Sequence, residues 1–182
     1  VEINGREWMQ VQVVIPAIGH SARDTFAMLL DRGIPMEPKA FAVGLRIQHP
    51  QAMINESQYG KTFRDALGPA PYKVTARSSL GRGVYSFCMC PGGYVVNASS
   101  EPEMLAVNGM SYHDRGGRNA NSALIVTVTP EDFGSGVLAG VEYQRKLERL
   151  AYRLGNGKIP TQLYGDFREN RESRQLGDVE PE

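Results

Sequence analysis

The 182-residue chain has only two cysteines, Cys88 and Cys90, so no disulfide framework is available to hold it together. Such sparse cysteine usage is typical of a reducing compartment, and we expect a cytoplasmic protein. Long hydrophobic runs are also missing. The longest, Val13–Ile18, is far below the ~20 residues that cross a bilayer, so no membrane association is expected.

The chain also lacks an excess of charge of either sign. Its 20 Lys and Arg residues balance 20 Asp and Glu residues, which gives a formal net charge of +0. Binding to nucleic acid draws on a surplus of positive charge, so this composition predicts no nucleic-acid partner.

Several catalytic signatures are absent as well. The sequence contains no G-x-S-x-G, no H-E-x-x-H, no Walker loop and no C-x-x-C. A hydrolase or a zinc enzyme therefore has no support in the sequence, and we predict no metal site.

What is present predicts an α+β fold. Helical periodicity marks residues 22–32, with Ser21 as the expected N-cap and Gly33 as the stop, and residues 137–154; a short helix is expected at 50–57. An Asn4-Gly5 turn predicts a hairpin between extended runs at 1–3 and 6–15. Further strands are predicted at 39–49, 72–77, 83–90, 93–98, 104–108 and 123–128. The connections within 72–108 are too short for crossover helices, so we expect a mainly antiparallel meander.

Two Gly-containing turns precede the predicted helices. Near 17–21 the backbone N–H groups of Gly19, His20 and Ser21 would lie at a helix N-terminus, which attracts anions, although an ordinary strand-to-helix turn is the alternative. The run at 134–139 fits G-x-G-x-x-A formally. We interpret that second match as a decoy, because five residues separate it from the preceding strand.

The segment Cys88-Met89-Cys90-Pro91-Gly92-Gly93 allows several interpretations. Side chains two apart in a strand share a face, so the cysteines could bind a soft metal or form a redox pair, with His113 as a third donor; buried packing is the alternative. Adjacent glycines would let the backbone approach a flat ligand, or would simply form a hairpin turn. His113 could act as an acid or base, or could lie in a plain surface loop.

Five stretches carry a resemblance to a known family. They are residues 14–26 (VIPAIGHSARDTF), 39–50 (KAFAVGLRIQHP), 87–99 (FCMCPGGYVVNAS), 107–111 (VNGMS) and 119–124 (NANSAL). The first resembles the second FAD-contacting strand and turn of flavoproteins that bind two dinucleotides. Together they resemble the central, inserted region of poorly characterised bacterial FAD-dependent dehydrogenases and a related flavoprotein group.

This resemblance implies a domain of an FAD-dependent oxidoreductase whose remaining FAD-binding segments lie outside this chain. It divides the chain into a remnant of the FAD-binding domain at 1–35, an inserted substrate or cap domain at 36–167 and a polar linker or tail at 168–182. The partners would be the rest of the parent chain and an unidentified small-molecule substrate. FAD would be bound by the complete protein and not retained by this chain alone.

The resemblance also implies the residues of the site. Contacts to FAD are expected from Ala17, Ile18, Gly19, His20, Ser21, Cys90, Pro91, Gly92 and Gly93, and contacts to substrate from His113 and Asn121. Two other hypotheses stay open at this point: a non-catalytic cap or interaction domain without its own cofactor, and a Cys-x-Cys metal or redox module.

Overall fold

A computed structural model describes residues 1–62 and 65–177 of the chain. It divides into two compact units, Val1–Pro35 and Met36–Glu182, and each is described by itself. All strand pairs are antiparallel and five helices accompany them in the described residues, so the predicted α+β class is confirmed.

The first unit holds a small hairpin and one helix. Strands β1 (Glu2–Ile3) and β2 (Glu7–Trp8) are joined through Asn4 and Gly5, whose φ angles of 52° and 64° suit the predicted turn. The predicted second run extended to Ile15, but the strand ends at Trp8. The backbone bonds of the hairpin go no further than Met9, which bonds to Val1, and no described strand pairs with residues 10–15.

Helix α1 (Arg23–Asp31) matches the helix predicted at 22–32, and Gly33 follows its end with a φ of 75°. The predicted cap is wrong. Ala22 occupies the N-cap position and no side chain caps the helix, while the Ser21 hydroxyl hydrogen-bonds to the neighbouring His20 ring instead.

The second unit is built on a four-stranded sheet. Its strands are β3 (Phe41–Pro50), β4 (Thr75–Arg77), β5 (Gly83–Cys90) and β8 (Asn119–Val128), in the order β3-β8-β5-β4. The chain enters a second, two-stranded ladder between β5 and β8, formed by β6 (Gly93–Asn97) and β7 (Val107–Ser111). This ladder contacts β3, β5 and β8.

The predicted meander is therefore wrong, although its strands exist. The turn at Pro91-Gly92 takes the chain out of the sheet, so β6 pairs with β7 and not with β5. The long strand β8 pairs on one side with β3 over ten residues and on the other side with β5. It begins at Asn119, four residues before the start of the strand predicted at 123–128.

Four helices belong to this unit. They are α2 (Gln51–Tyr59), α3 (Pro130–Phe133), α4 (Ala139–Leu154) and α5 (Tyr164–Arg168), with a 3-10 turn at Asp65–Leu67. The helices predicted at 50–57 and 137–154 are confirmed as α2 and α4. Phe41 of β3 packs against Phe133 and Tyr143, with ring centroids 5.2 and 6.3 Å apart, and so joins α3 and α4 to the sheet.

The polar C-terminal segment is described as far as residue 177, so the rest of the predicted tail lies outside the described residues. Asp166 hydrogen-bonds to Arg171 and to Ser173 at 2.6 and 2.7 Å, and the Ser173 hydroxyl accepts the Leu163 N–H at 2.9 Å. These bonds fold residues 169–173 back onto α5.

Among the described residues the buried apolar side chains are few and mostly small: Ala70, Cys90, Leu105, Ala120 and Val128. Several buried side chains at the heart of the second unit are polar, among them Gln51, Ser86, Asn121 and Ser122. Hydrogen bonding therefore shapes this core to an unusual degree, because buried polar groups are costly unless they are paired.

Candidate functional site

The turn at 17–21 lies in the first unit, ahead of α1. All five predicted residues are exposed, and Gly19 has a φ of 74° with no atom within 4 Å of the position a Cβ would take. His20 Nδ1 and Ser21 Oγ are hydrogen-bonded to each other at 3.0 Å. The backbone of this turn is thus open to a ligand.

The turn Pro91–Gly93 lies in the second unit and is buried by its own chain. The Gly92 N–H donates to Gln51 Oε1 at 2.8 Å, the Ser111 hydroxyl donates to the Pro91 carbonyl at 2.8 Å, and the Gly117 N–H donates to the Gly92 carbonyl at 3.1 Å. Side-chain and backbone groups from distant segments therefore hold this turn in place.

Packing accounts for both glycines of the turn. A Cβ on Gly92, which has a φ of 54°, would overlap the carbonyl oxygen of Arg115. A Cβ on Gly93 would come within 2.7 Å of Ser111 Oγ and 2.9 Å of Cys90 Cβ. The close approach that these glycines permit is made by the chain itself, whereas their contact with FAD stays a prediction.

The two cysteines lie at a β-bulge, and the prediction that they share a strand face is wrong. The register against β8 shifts between Phe87 and Cys90, and Cys88 has a φ of 49°. As a result Cys88 is exposed and Cys90 is buried, with its thiol donating to the Cys88 carbonyl at 3.3 Å. Burial raises the pKa of Cys90, which opposes formation of its thiolate.

No group of three or more His, Cys, Asp or Glu side chains suited to a metal occurs within residues 1–62 and 65–177. In the same ranges no helix is long and apolar enough to cross a membrane.

The two predicted substrate residues have different surroundings. His113 lies in the exposed loop between β7 and β8, where its ring makes no hydrogen bond to the described residues. Asn121 is fully buried on β8, opposite Cys90 in the register. Its Oδ1 accepts from Arg46 Nη1 at 2.5 Å, while its Nδ2 is buried without a hydrogen-bond partner. The structure therefore brings Asn121 to Cys90 and Arg46.

Sequence reasoning missed Arg46, Gln51, Asn108 and Gly109. Arg46 is a charged residue between Leu45 and Ile47 that follows five apolar residues of the same strand, which is a signal that could have found it. Gln51 is the first residue of α2 and carries no sequence mark of its burial. Asn108 Oδ1 accepts a hydrogen bond from Arg46 Nη2 at 3.4 Å, and Gly109 leaves the space that Arg46 Nη1 occupies. Both contacts depend on the position of β7, which the sequence does not reveal.

A second polar pair lies at the end of β3, where the His49 and Tyr72 rings are 5.4 Å apart. Burial lowers the pKa of His49 and raises the pKa of Tyr72, so both side chains favour their neutral forms.

A sequence profile of the family described as "FAD-dependent protein, C-terminal domain-like" matches residues 40–182. The chain therefore belongs to this family, and it is a domain of the FAD-dependent class of proteins. Across its whole length it is 53% identical to a protein of Clostridium beijerinckii described as an uncharacterized protein. The chain spans 35% of that relative's length.

Proposed function

We propose that this chain is part of an FAD-dependent oxidoreductase of the dehydrogenase type, in which residues 1–35 supply part of the FAD site and the second unit covers the substrate. The match of residues 40–182 to an FAD-dependent family is the observation that carries this proposal. In it, FAD supplies the hydride or electron chemistry, and the chain supplies binding, orientation and electrostatics.

The first unit supports a role in a larger sheet. Val13, Val14 and Ile15 are 74%, 59% and 83% exposed and have no strand partner among the described residues. A continuous apolar run of this kind is typical of a strand that is buried on both faces of a parallel sheet. We infer that this run joins a sheet formed by the remainder of the parent chain, which is the expected partner.

The turn that follows this run fits the phosphate or ribose side of FAD. Its residues are exposed, Gly19 leaves open space, and the N–H groups lead into the nine-residue helix α1. The chain would hold only half of a dinucleotide site, since its sequence contains no G-x-G-x-x-G loop to bind the pyrophosphate. Cys90–Gly93 are proposed to contact FAD near its ring, and His113 and Asn121 are proposed to contact the substrate.

A non-catalytic cap or interaction domain is the alternative function. It is favoured by the burial of Pro91–Gly93, where the chain's own atoms fill the space beside both glycines.

Flavin binding can be tested with a matched pair of glycine variants in the full-length protein. Gly19 and Gly33 flank α1 with φ angles of 74° and 75°, and neither has an atom within 4 Å of an added Cβ. Gly19→Ala and Gly33→Ala therefore carry the same backbone strain, about 1 kcal/mol. We expect only Gly19→Ala to lower the ratio of flavin to protein absorbance after gel filtration.

The 182-residue chain alone, incubated with FAD and filtered in the same way, is expected to stay colourless. Equal flavin content in the two variants, or a full-length protein without flavin, would favour the non-catalytic alternative.

A further inference from the structure

Arg46 is a partly buried cation whose hydrogen bonds go only to neutral acceptors. Its guanidinium donates to Asn121 Oδ1 at 2.5 Å, to the Cys88 carbonyl at 3.3 Å and to Asn108 Oδ1 at 3.4 Å. No carboxylate within the described ranges forms an ion pair with it. A guanidinium has five N–H donors, so this cation has both charge and donors to spare.

The arrangement of the chain around this guanidinium requires a glycine. Gly109 of β7 is buried directly above it, and a Cβ at that position would overlap Arg46 Nη1 and Asn121 Oδ1. The ladder β6–β7 can therefore lie against the sheet while the Arg46 side chain occupies the space between them. The cation is held in place and is not a freely moving surface side chain.

Asn121 adds a second donor that lacks an acceptor. The side chain is 0% exposed, its Oδ1 is engaged by Arg46, and its Nδ2 has no hydrogen-bond partner. A buried amide N–H without an acceptor is costly, and such groups are rare in folded proteins. The unpaired Nδ2 of Asn121 thus belongs to the side chain that is hydrogen-bonded to the Arg46 cation.

Two residues that contact the guanidinium lie at the surface. Cys88 and Asn108, whose carbonyl and side-chain oxygens contact the guanidinium, are both exposed. An oxyanion could reach Arg46 between them, and a small shift of the Asn121 amide would bring its N–H to the same ligand. Planar oxyanions match the fork of a guanidinium.

We propose that Arg46 and Asn121 form a binding site for a planar oxyanion, namely a carboxylate group of the substrate. The site itself is a property of the second unit, whereas its assignment to substrate rests on the proposed function. The same chemistry could come from the N1–C2=O edge of a reduced, anionic flavin, and the experiments below separate these two sources.

The first experiment uses the 182-residue chain and sodium acetate as the probe. Acetate replaces chloride at constant ionic strength while the Gly109 amide and the Asn121 side-chain amide are followed by ¹⁵N NMR. We expect saturable shifts that Arg46→Gln weakens about tenfold or more, as expected for the loss of a charge-assisted contact.

Arg77→Gln is the matched control, because it removes an exposed arginine from β4 of the same sheet. It should leave acetate binding unchanged. If Arg46→Gln fails to fold by circular dichroism, Arg46→Lys replaces it; this variant keeps the charge, lacks the fork and should bind acetate more weakly than the parent. Shifts that are not saturable, or that are equal in the Arg46 and Arg77 variants, overturn the site.

The second experiment uses the full-length flavoprotein. A carboxylate bound beside the flavin should perturb its visible spectrum, and Arg46→Gln should abolish this effect of acetate without changing the midpoint potential. A lowered midpoint potential with the acetate effect intact would assign the oxyanion to the flavin and overturn the substrate assignment. A full-length protein without flavin would refute the proposed function, while the acetate titration of the chain would still decide the site.

Discussion

Gln51 connects three segments of the second unit, and its removal is the most direct test of how the Pro91–Gly93 turn is held. The side chain is 6% exposed. Its Nε2 donates to Asn55 Oδ1 at 2.8 Å and to the Ala70 carbonyl at 3.0 Å, and its Oε1 accepts the Gly92 N–H at 2.8 Å. One amide therefore satisfies backbone groups from two distant parts of the chain.

Gln51→Ala leaves the Gly92 N–H and the Ala70 carbonyl buried without these partners. Each such orphan costs about 1–3 kcal/mol, and water entering the vacated space would recover part of the loss. We therefore expect the free energy of unfolding to fall by about 2–4 kcal/mol, which corresponds to a drop in Tm of roughly 5–15 °C for a chain of this size.

Urea unfolding followed by circular dichroism measures the change, and the slope with denaturant should stay the same. Hydrogen exchange gives an independent reading, since the Gly92 amide should be protected in the parent chain and exchange faster in the variant. Gln48→Ala is the control, because Gln48 is exposed on the adjoining strand and its loss should cost about 0.5 kcal/mol or less. Equal destabilisation by the two variants would refute the role given to Gln51.

Two further predictions concern stability. Gly92→Ala should destabilise the chain by about 2 kcal/mol or more, because the φ of Gly92 is 54° and the new Cβ would overlap the Arg115 carbonyl. Gly83→Ala is the control and should be nearly neutral, because the space around Gly83 is open. Equal urea midpoints for the two variants would contradict this prediction. Hydrogen bonds from Arg82 hold the pKa of Asp132 at about 2, below its ordinary 3.8. The stability that this pair contributes is present above pH 3.8 and is lost as the pH falls through about 2. Asp132→Asn should therefore flatten the dependence of the unfolding free energy on pH in that range. An unchanged slope would contradict a stabilising role for the pair.

Local pattern was sufficient to predict much of the secondary structure. The helix α4 and the strand β5 were predicted from the spacing of apolar residues and from the glycines near their ends. Both signals depend only on residues close together in the sequence. The capping of α1 was not predictable in the same way. Ser21 has the right side chain for a cap, yet it hydrogen-bonds to His20, a choice that depends on the path of the turn.

Long-range pairing was not predictable. Nothing local to residues 119–128 indicates that they pair with 41–50 on one side and with 84–90 on the other. Asn121 was identified from family resemblance, but its partner Arg46 is 75 residues away in sequence, and only the closed sheet brings them together. The glycines of the Pro91–Gly93 turn show the same limit. The sequence indicates that something approaches them closely, but it does not indicate whether that neighbour is a ligand or the chain's own backbone.

The bulge in β5 gives the chain a single chemically addressable thiol. Cys88 is turned outward at the bulge, while Cys90 is buried and has a raised pKa, so a thiol-reactive dye should modify the first cysteine and spare the second. The Cys88 carbonyl accepts a hydrogen bond from Arg46. A fluorophore attached there, without any engineered cysteine, would report optically on events at the neighbouring guanidinium.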